Sequence, residues 1–171
     1  AITNSQRDGA YQRDQVPLSG FVCPSRRKAR VYPFRYLWGP YGFCYHNGRN
    51  NPPSAIVLDY AGNAGDNTIS HQIWGPGPSP FPPTPAYWSG VDSSVSSSTG
   101  LVVMRGEITP AHVRDGLSNT YLVGEKYLPP HDYENGMDPA DDSGIYEGGP
   151  HHDTCRWSHY PPIQDRLGLS F

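Results

Sequence analysis

Proline decides most of what this chain can become. Residues 75–85 read GPGPSPFPPTP. Proline fixes φ and removes the amide donor, so this stretch is excluded from helix and from the middle of a sheet, and it reads as a polyproline-II-like surface loop. The Ser-rich run Ser93–Ser98 extends it, giving a Pro/Ser-rich insertion over about residues 75–100 whose Tyr87 and Trp88 are placed to face a partner. The same chemistry is spread along the rest of the chain, where 19 glycines and 19 prolines in 171 residues dictate many turns and short extended segments. The expected class is α+β and β-rich, with short helices and long Pro/Gly-rich loops.

A core remains possible because 4 Trp, 12 Tyr and 5 Phe supply large apolar surfaces with polar tips. The expectation is one domain over residues 1–171, with residues 1–15 as a polar surface lead-in and Ala1 as a mature or trimmed end. A net charge of −3 gives no basic excess for a nucleic-acid backbone. No run of 18 apolar residues occurs, so no membrane span is expected in this chain. Cys23, Cys44 and Cys155 lack the C-x-x-C spacing of zinc or redox sites. In an oxidising compartment Cys23 and Cys44 are the disulfide candidates, since both lie in aromatic segments bounded by Pro and Gly, and closing that loop contributes roughly 3 kcal/mol. Cys155 is then left without an internal partner.

Along the chain, Phe21-Val22-Cys23 reads as a short strand stopped by Pro24, and Arg26-Arg27-Lys28 as a solvated basic turn. Ala55-Ile56-Val57-Leu58 is an apolar run too short for a helix, and it leads into Asp59, Asn63 and Asp66 interleaved with Gly62 and Gly65. A buried strand entering a Gly-rich loop fits that pattern. Val102-Val103-Met104 reads as another strand. Thr109-Pro110 is a helix start, Gly116 a stop, and TYLVGEKYL, residues 120–128, a central strand.

Three stretches carry side chains capable of chemistry. The knot Asp115-Gly116-Leu117-Ser118-Asn119-Thr120 lacks the final glycine of a nucleophile elbow and sits between helix and strand in the wrong order. Its polar side chains are better matched to Asx- and Ser/Thr-turns, with Asp115 and Asn119 pointing inward to backbone amides and Gly116 at positive φ. His151, Cys155 and His159, with His152 beside them, are zinc ligands on paper but would align only on a helix, for which the flanking Gly148-Gly149-Pro150 and Tyr160-Pro161-Pro162 leave little room. Asp138, Asp141 and Asp142 form a hard-oxygen turn without EF-hand spacing, a candidate structural Ca2+ loop set against a solvated acidic turn. No catalytic residue emerges, and the chain reads as a non-enzyme. Exposed aromatics on a β scaffold leave a polysaccharide-binding domain as the competing function.

Taken in order, VPLSGFVCPSRR, DYAGNAGD, DGLSNTYLVGEK and the closing GIYEGG…D…RW…PPIQDR resemble a family of bacterial secreted proteins of uncharacterised biochemical function, known by a prepilin-type N-terminal segment and a C-terminal H-x9-DG motif. The resemblance covers Val16 to Arg166 apart from the insertion. It implies a pseudopilin-like protein: an apolar N-terminal helix processed by a prepilin peptidase, then an α+β head with an antiparallel sheet, exported across the inner membrane. Neither that helix nor the H-x9-DG end is in this sequence, and the expectation is a chain made to be covered by another segment. The motif residues, among them Asp59, Asn63, Asp115, Gly116, Ser118, Asn119 and Glu125, map to turns and core. The implied function is a structural subunit, extracellular, periplasmic or at the cell surface, acting as a homo-oligomer or with another envelope protein; the alternative is a secreted ligand-binding domain for polysaccharide.

Overall fold

The computed structural model describes residues 3–33, 53–66, 85–86, 89, 99–103, 106–138, 140–142, 144–146, 153–158 and 161–166. Cys44, Tyr87, Trp88, the run 93–98, Met104, His151, His152 and His159 lie outside them, as does nearly all of 75–98. The architecture is mixed α+β with a β-rich character. Contacts divide the chain into two compact units: Ala1–Tyr60 with Glu125–Glu147 and Ile163–Phe171, and Ala61–Gly124 with Gly148–Pro162.

The first unit opens with α1 (Asn4–Arg13), a helix where a featureless lead-in was expected. Its cause is local. Thr3 and Gln6 make a capping box: the Thr3 hydroxyl accepts from the Gln6 N–H at 3.3 Å and the Gln6 side chain accepts from the Thr3 N–H at 2.9 Å. No residue of α1 is buried, so capping rather than an apolar stripe defines it. Strands β1 (Val31–Pro33) and β2 (Ser54–Ile56) pair antiparallel, with Tyr32 opposite Ala55. The apolar run behaves as read, because Ala55, Ile56, Val57 and Leu58 are all buried. Phe21-Val22-Cys23 is not a strand. Ser19–Phe21 is a 3-10 turn, and the N–H groups of Arg26 and Arg27 return to the Cys23 carbonyl at 3.0 and 3.1 Å. That tight return replaces ladder bonds with turn bonds.

In the second unit, β3 (Tyr60–Asn63) is the middle strand of a three-stranded sheet of order β4-β3-β5, with β4 at Val123–Glu125 and β5 at Cys155–Arg156. The Gly-rich stretch is therefore itself a strand at its start. β3 and β5 run parallel, Gly62 opposite Cys155. Ala64 and Cys155 form a small buried cluster on which Val102 packs. Val102 is not in a strand: the N–H groups of Leu101 and Val102 both go to the Asn63 carbonyl at 2.9 Å, a convergence no ladder allows. The expected central strand 120–128 shrinks to β4, which is an edge strand among the described residues, with Val123 and Glu125 exposed. Among the described residues no helix is long and apolar enough to cross a membrane.

Candidate functional site

The unit that holds β1 and β2 carries its strongest chemistry in its interior. The turn after Cys23 points two guanidiniums inward, with side-chain exposures of 5 % for Arg26 and 1 % for Arg27. Arg27 meets Asp59 at 2.6 Å and forks onto Asp141, Nη2 donating to Oδ1 at 3.0 Å. Its Nη1 also donates to the Tyr133 carbonyl at 2.8 Å. Lys126, equally buried, donates from Nζ to Asp141 Oδ1 at 2.8 Å and to the Ala140 carbonyl at 3.1 Å. Arg26 reaches Asp59 Oδ1 at 3.2 Å, Asp165 Oδ2 at 2.8 Å and the Lys126 carbonyl at 2.7 Å. Three cations therefore face three carboxylates. Burial favours loss of the guanidinium protons, and the carboxylates more than reverse that: Asp141 and Asp59 raise the pKa of Arg27, and Asp165 and Asp59 that of Arg26.

Asp59 is the hub of this cluster. It is fully buried, its Oδ2 accepts the Cys23 N–H at 2.7 Å, and its carbonyl accepts the Lys126 N–H at 2.7 Å. Through its carboxylate and its main-chain carbonyl together, Asp59 ties the turn at Cys23 to the chain entering Lys126, two segments about a hundred residues apart in sequence. The solvated reading of the basic triplet thus holds for Lys28 alone, which is exposed. The sequence signal for the cluster was a pair of arginines beside a turn, and nothing local distinguishes that from a surface patch.

The other expected site residues fall as follows. Asn63 makes an Asx turn, its Oδ1 accepting the Gly65 N–H at 2.9 Å, with Gly65 at φ 88°. Gly116 has the expected positive φ, 87°. Asp115 does not point inward: it is exposed, as is Ser118, and the corner is closed by Asn119 Nδ2 donating to the Asp115 carbonyl at 2.8 Å and by Thr120 Oγ1 donating to the Gly116 carbonyl at 3.2 Å. The unmet groups at this corner are carbonyls, so donors rather than acceptors are needed. Glu125 is exposed on β4. Cys23 is buried with its thiol 3.0 Å from the Ser25 hydroxyl and is free among the described residues, while its expected partner Cys44 lies outside them. Of the acidic turn, Asp138 Oδ1 accepts the Ala140 N–H at 2.8 Å, Asp141 is held by Arg27 and Lys126, and Asp142 is buried. Among the described residues no group of three or more His, Cys, Asp or Glu is arranged to hold a metal ion.

The unit built on β3 presents a different surface. Leu117, Tyr121, Leu122 and Val123 are all more than half exposed, Leu117 reaching 64 %. Two bonds fix this run to the sheet: the Asn63 N–H to the Leu122 carbonyl at 2.9 Å, and Asn63 Nδ2 to the Tyr121 carbonyl at 3.0 Å. Single exposed apolar residues are ordinary on a protein surface, whereas here four lie within seven positions and lead into β4.

Residues 2–161 match the model of a family described as protein of unknown function (DUF1559). No curated protein and no solved structure matches the chain.

Proposed function

The chain belongs to the DUF1559 family, and we propose that it is a non-enzymatic structural subunit of the cell envelope or extracellular space, a pseudopilin-like head that works by self-association. The observation that carries this reading is the exposed run Leu117–Val123 ending in edge strand β4. It lies within DGLSNTYLVGEK, one of the stretches that resemble secreted prepilin-type proteins. An edge strand offers unpaired backbone groups, and the apolar side chains beside it supply the burial that pairing requires. The buried charges around Asp59 neutralise one another, which suits a scaffold.

Sedimentation of the purified chain over a range of concentrations tests the proposal. The expected result is reversible association with an interface above roughly 1,000 Å² in total, abolished by Leu122→Lys. A monomer at every concentration overturns it and shifts the case to the polysaccharide-binding alternative.

A further inference from the structure

Asn135-Gly136 is a chemically unstable pair of residues. Glycine has no side chain to shield its own nitrogen, so in an unfolded chain that nitrogen closes readily onto the amide of a preceding asparagine. The fold needs glycine here all the same, because Gly136 is buried with φ 64°, a left-handed conformation in which a Cβ is strained.

The asparagine is held instead. Nδ2 donates to the His131 carbonyl at 3.0 Å and to Asp132 Oδ1 at 2.8 Å, and Oδ1 accepts the Met137 N–H at 2.8 Å. The Asp132 side chain is only 13 % exposed, so packing sets this acceptor in place. Attack requires the Gly136 nitrogen to stand above the plane of the Asn135 amide, and three bonds at the two ends of that amide fix the plane. We propose that Asn135 is a latent self-modification site: the closed loop Pro130–Met137 suppresses cyclisation onto Gly136, and each opening of the loop exposes the pair to a one-way deamidation.

The reaction takes nothing but water. Once the Gly136 N–H has lost its proton to solvent base, the nitrogen attacks Asn135 Cγ; the N–Cγ bond forms, the Cγ–Nδ2 bond breaks, and Nδ2 leaves as ammonia with a proton returned by solvent. Water then opens the succinimide at either carbonyl, leaving aspartate or isoaspartate at position 135. Neither product fits the closed loop. A carboxylate there sets an acceptor against the His131 carbonyl and the Asp132 carboxylate, where Nδ2 had donated, and isoaspartate lengthens the backbone as well. The same loop supplies the Tyr133 carbonyl to Arg27 Nη1 at 2.8 Å and the Tyr133 hydroxyl to Asp165 at 2.7 Å, so deamidation loosens one side of the buried ionic cluster. The inference is independent of the self-association reading.

The test is ageing read residue by residue. The purified chain is incubated in mildly alkaline buffer, native and in denaturant, and peptide mapping measures aspartate and isoaspartate at position 135 separately from any reaction at Asn47-Gly48, the other Asn-Gly pair in the sequence. Asn135 should react about tenfold or more slowly in the native chain than in the unfolded one. Asp132→Ala removes one acceptor and should speed the native reaction about two- to tenfold, whereas Asp132→Asn keeps an acceptor oxygen and should age at a rate closer to wild type. Asn135→Asp reproduces the product that has an ordinary backbone. It should speed hydrogen exchange at the Met137 N–H while the Ile56 N–H, bonded to the Asp14 carbonyl, stays protected. Equal rates at Asn135 in native and unfolded wild type overturn the proposal, whatever the variants do. A folded Asp132→Ala chain that ages no faster than wild type overturns it too, as does Asp132→Asn ageing as fast as Asp132→Ala. Unchanged exchange at Met137 in Asn135→Asp overturns the one-way step, since the product would then fit the closed loop.

Discussion

Arg27 and Asp59 meet at 2.6 Å with side-chain exposures of 1 % and 0 %. Neither charge has access to water, so each is tolerable only because the other is there and because Asp141 and the Cys23 N–H supply further bonds, with Arg27 Nε left buried and without a partner among the described residues. This places the stability of the unit in its interior polar network as much as in its apolar residues.

Removing one member should therefore be severe. Arg27→Met leaves Asp59 and Asp141 short of a partner in a dry site, and should cost about 3–5 kcal/mol in denaturant unfolding. Arg30 is the control: its pair with Glu134 is just as short, 2.7 Å, but both side chains are more than half exposed. Arg30→Met should leave the unfolding midpoint almost unchanged, because an exposed pair is screened by water. Equal losses for the two variants would show that the buried network is not what holds this unit.

Tyr133 gives the cluster an alkaline limit. Its pKa is raised from 10.0, first by loss of solvent and then by its hydrogen bond to Asp165 and that carboxylate's charge, against the opposing pull of Arg26. The folded state thus keeps the phenolic proton longer than the unfolded chain does. The bond to Asp165 is fully present below pH 10.0, and its contribution is lost as pH rises through that value toward the folded pKa. Tyr133→Phe should cost about 1 kcal/mol near neutral pH, and the gap between wild type and variant should close above pH 10.0. A gap that widens with pH would reverse this assignment.

The legible parts of the fold were those written in neighbouring residues. Thr109 and Pro110 start a 3-10 turn with a capping box, Gly116 takes positive φ, and Ala55–Leu58 is buried as its run of apolar residues requires. The helix α1 was equally legible in Thr3-x-x-Gln6, but its polar face all round hid it from a search for apolar periodicity. The ionic cluster was not legible, because Arg26 and Arg27 find Asp59, Asp141 and Asp165 at separations of roughly 30 to 140 residues. Long-range pairing is set by tertiary packing, and a basic triplet carries no mark of it. The edge position of β4 has the same origin: TYLVGEKYL has the composition of an interior strand, and only the order β4-β3-β5 puts it outside.

Three glycines of the β3 unit separate crowding from backbone strain. A Cβ on Gly100 would collide with the carbonyl carbon and oxygen of Ala64, which are backbone and cannot swing away. Gly100→Ala should cost about 3 kcal/mol. At Gly116 the nearest atom is Asn119 Nδ2 at 3.8 Å, so only the φ of 87° opposes a side chain, and Gly116→Ala should cost about 1 kcal/mol. Gly124 has nothing within 4 Å, and Gly124→Ala should stay within about 0.5 kcal/mol of wild type. Thermal melts of the three variants should rank in that order; a Gly124→Ala protein as damaged as Gly100→Ala would mean the β4 edge is covered in solution.

The corner before β4 makes the last prediction, and it reverses the expectation from sequence. Asp and Asn at a turn suggest two acceptors for stray amides, which would make Asp115 the costly residue to lose. The bonds run the other way: Asn119 gives its amide hydrogen to the Asp115 carbonyl at 2.8 Å, while the Asp115 carboxylate is exposed. Backbone bonds already serve the amides here, from Gly116 to the Val113 carbonyl at 3.1 Å and from Asn119 to the Gly116 carbonyl at 3.0 Å. Asp115→Ala should therefore change stability by less than about 0.5 kcal/mol, and Asn119→Ala should cost about 1 kcal/mol. Asn119→Asp decides whether the donor or the volume matters, since it keeps the size and removes the NH2 group. It should unfold at the same denaturant midpoint as Asn119→Ala, or lower, because a carboxylate would then face the Asp115 carbonyl oxygen. If Asn119→Asp instead matches wild type while Asp115→Ala falls, the corner is held by acceptors after all, and the bond direction argued from Asn119 is wrong.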